Sequence, residues 1–111
     1  MGSRIHIGDF ELVVMLVLLR LGDGAYGVPI SREVEQRCGR EVALGSVYAT
    51  LERLQEKGLV SSQLGEPTPE RGGRAKRYFR LTRKGLREVR ETKDALVRLW
   101  SGLPELAGGK I

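Results

Sequence analysis

The stretch LGSVYATLERLQEKGLV, running from Leu44 to Val60, decides how this chain folds. Its periodicity predicts a helix from about Leu44 to Lys57, closed by Gly58, with Leu44, Val47, Tyr48, Leu51 and Leu54 on one face. Ser46, Ala49, Thr50 and Arg53 fall mostly on the other face. A second helix precedes it. Pro29 suits that helix's first turn and Gly39 the position just past its end, while Ile30, Val34 and Cys38 recur every four residues between them. Two short helices joined by a tight link, the later one opening on small residues, predict a helix-turn-helix.

Toward the C-terminus, Leu59 to Leu64 and Ala75 to Leu81 carry strand patterns, the second with Phe79 and Leu81 on one face and Lys76, Tyr78 and Arg80 on the other. The connection between them, Gly65 to Arg74, contains Pro67, Pro69, Gly72 and Gly73 and is longer than an ordinary hairpin turn. Thr82 can cap a final helix from about Arg83 to Ser101. In it Leu86, Val89, Lys93, Leu96, Trp100 and Leu103 step by threes and fours, the spacing of a helix-pairing seam. Toward the N-terminus, Asp9 can cap a helix over Phe10 to Leu21 that is apolar on nearly every side. Such a helix needs cover all round, more than so small a fold is expected to supply. A homodimer interface through Leu12, Met15, Leu16 and Leu19, with Leu86, Val89, Leu96 and Trp100 of the last helix, is the economical explanation; a core helix or strand is the alternative. The predicted fold is therefore mainly α with a two-stranded β-wing: a winged helix-turn-helix over residues 8–82 and an additional C-terminal dimerisation helix over residues 83–103.

Charge narrows the partner. The chain has 19 Lys and Arg against 14 Asp and Glu, net +5, and the excess is uneven. Residues 1–60 hold 7 basic and 8 acidic groups, whereas residues 61–111 hold 12 and 6. That asymmetry suggests a polyanionic partner, with a merely solvated basic surface as the plain alternative. The longest apolar run, Leu12 to Leu19, is far too short to span a membrane, and no secretory signal is visible, so a soluble cytoplasmic protein is expected. A lone cysteine excludes an internal disulfide framework.

A helix of this kind fits the major groove of duplex DNA, where each base pair presents a distinct hydrogen-bonding pattern. Gly45, Ser46 and Ala49 let its backbone approach closely, and its free N–H groups favour phosphate oxygens. Thr50 and Arg53 stand one turn apart to reach base edges or the sugar-phosphate wall. The Gly72-Gly73 tip, flanked by Arg71, Arg74, Lys76 and Arg77, forms a cationic finger for neighbouring phosphates or a minor groove.

Three ordered motifs carry a family resemblance: Ala25-Tyr26-Gly27; Gly45 to Leu54 followed by Glu56-Lys57-Gly58-Leu59-Val60; and Gly72 to Thr82 leading to Gly85. Together they resemble PadR-like transcriptional regulators over about Phe10 to Trp100. The resemblance implies a homodimeric repressor on a near-palindromic operator, with the first and last helices forming the dimer interface. Carried over by position, Ser46, Tyr48, Thr50 and Arg53 would face DNA, and Arg74 to Arg77 would form the wing. Tyr48 also lies on the core face by periodicity, and a hydroxyl reaching a phosphate from a mostly buried ring satisfies both. The chain is similar to the short class, which lacks a separate C-terminal effector domain. Some of that class bind planar or cationic compounds between subunits, which makes Trp100 a candidate effector contact; as an ordinary large aromatic it is a dimer anchor.

The remaining residues read more plainly. Cys38 lies on an apolar stripe and is expected to be a small buried hydrophobe. His6 has no second ligand at metal spacing. Glu11, Glu33, Glu35, Glu52 and Glu56 read as helix-surface acids, solvated or paired. No catalytic set, metal site or cofactor loop can be assembled, so neither an enzyme nor a cofactor is expected. Two other functions use the same residues. A winged-helix module that binds proteins rather than DNA is disfavoured by the basic wing. Membrane binding through the hairpin is disfavoured by the lack of an amphipathic basic helix with interfacial aromatics.

Overall fold

The computed structural model describes residues 7–65 and 75–106. Four helices and one hairpin follow in order: α1 (Asp9–Leu21), a 3-10 turn (Gly22–Gly24), α2 (Gly27–Cys38), α3 (Leu44–Glu56), β1 (Val60–Leu64), β2 (Arg77–Leu81) and α4 (Arg83–Trp100). A second 3-10 turn, Pro104–Leu106, ends the described chain. The strands pair antiparallel, with Val60 opposite Leu81 and Leu64 opposite Arg77. This is the mainly α architecture with a two-stranded wing expected from the pattern.

Helix punctuation follows the expected chemistry except at the start of α1. Gly39 takes the left-handed conformation after α2 (φ 74°), and Gly58 does the same after α3 (φ 78°), a geometry that strains any residue with a Cβ. Thr82 caps α4, its hydroxyl oxygen accepting the Gly85 N–H at 3.0 Å. Asp9, expected as the α1 cap, is instead its first residue. Gly8 is the cap, and the Glu11 carboxylate reaches back to accept the Gly8 N–H at 2.9 Å.

The core gathers one face of each element: Val14, Met15, Val17 and Leu18 of α1, Ile30 and Val34 of α2, Val47, Leu51 and Leu54 of α3, then Leu59, Val60, Phe79 and Val89. The wing is fastened to it. The Phe79 N–H donates to the Ala25 carbonyl at 2.8 Å, so the segment after α1 pairs with the outer side of β2. Two interface expectations are thereby corrected. Met15 (0% exposed) and Val89 (5%) belong to the core of the single chain, because α2, α3 and the hairpin cover α1 more fully than its composition suggested and α4 packs back against α1 and β2. Cys38 is corrected as well: it is exposed, at the last position of α2 where the helix has run past the core.

What the fold leaves uncovered is equally informative. Leu16 and Leu19 project from α1, 44% and 47% exposed. Leu12 and Leu86 are half-buried. The carboxyl half of α4 and the turn after it expose Leu96, Val97, Leu99, Trp100, Leu103 and Leu106. Burying a side chain of this size is worth about 1.5–3 kcal/mol, so a run of them left in water is a strong incentive to associate. No described helix is long and apolar enough to cross a membrane.

Candidate nucleic-acid interface

Helix α3 has a bare amino end. Its cap, Ala43, offers no side-chain oxygen to the first turn, and Gly45 has open space where a Cβ would lie. Gly45, Ser46 and Ala49 are all exposed, so a flat, small-residue surface surrounds unpaired N–H groups. Ser31 on α2 donates its hydroxyl to the Val42 carbonyl at 3.3 Å, steadying the link that sets the angle between the two helices.

Tyr48 resolves its double assignment. Its ring packs near Phe79 with centroids 6.4 Å apart, and its hydroxyl lies over Gly27, the first residue of α2. A Cβ at Gly27 would sit 2.2 Å from that oxygen, so Gly27 is the gap that admits the tyrosine. The side chain is still 41% exposed, with its polar end at the junction of α2, α3 and the wing.

Thr50 does not face outward. It is 1% exposed, and its Oγ1 accepts a hydrogen bond from Arg53 Nη2 at 3.2 Å. The expectation that Thr50 meets DNA is therefore corrected: its side chain is turned into the fold and serves Arg53 within α3. Arg53 is engaged on the same side. Its Nε lies 3.5 Å from Glu11 Oε2, and Lys57 Nζ lies 2.7 Å from Glu11 Oε1. Glu11, expected as a surface acid, is buried (6% exposed) and is the centre of this cluster. Burial pushes its carboxyl up, but Lys57, the Gly8 N–H and Arg53 together outweigh that and hold it below its ordinary value.

The loop end of the wing is aromatic. Lys76 Nζ stands 4.7 Å from the centre of the Tyr26 ring, and Tyr26 meets Tyr78 edge-on at 5.5 Å. Arg77 donates from Nη1 to Ser62 Oγ across the hairpin at 3.0 Å. Lys76 and Arg77 are thus held at the loop end of the hairpin, Lys76 by the Tyr26 ring and Arg77 by Ser62. Arg71 and Arg74 lie outside the described residues, as does His6. The packing of Tyr26 against Lys76 and Tyr78 has no signal in the sequence beyond its place in the Ala25-Tyr26-Gly27 motif. Among the described residues no group of His, Cys, Asp and Glu could hold a metal ion.

Comparison with known proteins agrees with this architecture. The profile of the Transcriptional regulator PadR-like family matches residues 15–91. A PadR-like transcription factor structure from Bacteroides fragilis is similar with a TM-score of 0.71 and 28% identity, over 81% of this chain and 82% of that one. A PadR family regulator from Eggerthella lenta is similar at 0.65 and 28%, over 88% and 83%. Bacillus subtilis PadR, solved with operator DNA, shares the fold at 0.64 and 17% identity, over 76% of this chain and 47% of that one. No curated protein matches in sequence.

Proposed function

This chain belongs to the PadR-like family of transcriptional regulators, and from that premise we propose that it is a cytoplasmic homodimeric repressor that grips a near-palindromic operator through α3 and the wing. Residues 8–82 form the DNA-binding unit and residues 83–103 the dimerisation helix. The observation that carries this reading is the pairing of an exposed, uncapped, small-residue start of α3 with cations fixed at the loop end of the wing. Gly45, Ser46 and Ala49 enter the major groove, the Tyr48 hydroxyl reaches a phosphate, and Lys76 and Arg77 continue with Arg71 and Arg74 along the backbone. The dimer forms through Leu12, Leu16 and Leu19 of α1 and Leu86, Leu96 and Trp100 of α4. It sets two copies of α3 about 34 Å apart, one turn of duplex. Trp100 anchors this interface and is the place where a planar or cationic effector would lodge. Mobility shift with the DNA upstream of the protein's own gene tests the proposal. A discrete complex on that DNA, resistant to competitor, is expected; no affinity for any duplex at low salt would leave the protein-binding alternative.

A further inference from the structure

The Glu11 cluster is not part of the surface just assigned to DNA, yet it holds Arg53, one turn on from Ala49 in α3, and Lys57 just past the end of that helix. Glu11 is one turn into α1, buried, and 46 residues from Lys57 in the chain. Its Oε1 accepts from both the Gly8 N–H (2.9 Å) and Lys57 Nζ (2.7 Å), while its Oε2 faces Arg53 Nε at 3.5 Å. Arg53 is tied a second time, through Nη2 to the buried Thr50 hydroxyl. One carboxylate therefore draws both side chains toward the amino end of α1 and away from the exposed start of α3. We propose that Glu11 is a positioning residue for the DNA-reading helix: it braces α3 against α1 and withholds the charges of Arg53 and Lys57 from the duplex. The inference rests on the DNA-binding reading above.

Physical chemistry gives this brace a direction. A cation already paired with a buried carboxylate releases no counterion when the duplex arrives, and moving either one to a phosphate would strip that carboxylate of one of its two charged partners. The salt dependence of binding should accordingly come from the wing and not from the end of α3. It also places base reading at Gly45, Ser46 and Ala49 and takes it away from Arg53.

Two variants test it by fluorescence anisotropy on operator and random duplex, with circular dichroism as a check on folding. Glu11→Gln removes the charge that holds Arg53 back, and the slope of log affinity against log salt should steepen by about 0.9 as that side chain reaches a phosphate. That is an added loss of roughly 3- to 4-fold per contact between 50 and 200 mM salt. Adding Arg53→Gln to it should remove one such increment. Arg53→Gln alone, a change at an exposed side chain, should leave the slope and the ratio of operator to random affinity as they are in the wild type. A Glu11→Gln slope equal to wild type overturns the proposal. So does a shallower slope or lost discrimination in Arg53→Gln, which decides the matter if Glu11→Gln fails to fold. Wild-type protein that binds no duplex at all sinks the DNA-binding reading itself, and the brace with it; the two failures are told apart by the wild-type titration.

Discussion

Gly85→Ala sets two opposing effects against each other, and the structure says which wins. In the first turn of α4, exchange of glycine for alanine favours the helix by up to about 1 kcal/mol. A Cβ at Gly85, however, would lie 2.1 Å from the Leu59 carbonyl oxygen and 3.0 Å from its carbon. An ordinary carbon–oxygen contact is about 3.3 Å, so backbone must part from backbone by about 1 Å. No side chain can rotate to relieve it. The same Leu59 oxygen accepts the Thr82 N–H at 3.0 Å, and Thr82 in turn donates to the Gly58 carbonyl and caps α4. Overpacking of this kind costs about 1–3 kcal/mol, and a lost hydrogen bond and weakened cap about 1 kcal/mol each. The net expectation is a loss of about 2–4 kcal/mol, or roughly 10–30 °C in melting temperature. Thermal and urea unfolding at one fixed protein concentration would measure it. Gly45→Ala is the control, since open space surrounds that position; it should gain a few tenths of a kcal/mol and lose DNA affinity where the backbone meets the groove. A Gly85→Ala protein as stable as wild type would refute the reasoning.

The other expectations concern charge and association. Replacing Arg74, Lys76 and Arg77 together with Ala should weaken binding to all duplexes and flatten the salt slope by up to about 0.9 per lost contact; an unchanged slope would remove the wing from the interface. Leu16→Glu or Leu96→Glu should give monomers in sedimentation, and a retained dimer would place the interface elsewhere. Because Glu11 is held below its ordinary value, its contribution to stability is full above about pH 4.3, the carboxyl value of the unfolded chain, and is lost as pH falls through the lower folded value. The stability gap between wild type and Glu11→Gln should therefore close on acidification; a gap as wide at pH 3 as at pH 7 would show that the ionised carboxylate is not what stabilises the fold.

The amino-acid sequence by itself determined the order of helices and strands, the hairpin and the stops at Gly39 and Gly58. These follow from local chemistry: a period of 3.6 or 2, a hydroxyl before α4, glycine where φ turns positive. It also placed Gly45, Ser46 and Ala49 on an open face. Periodicity names a face but not what covers it, and there only the tertiary structure decided. Met15 and Val89 carry the same apolar signal as Leu16 and Leu96, yet the first pair meets neighbours from distant segments and the second meets water. Thr50 is turned into the core, Cys38 overshoots it, and Glu11 finds Lys57 only because folding brings α1 across the end of α3. Such pairings join residues tens of positions apart, and no local rule carries information over that distance.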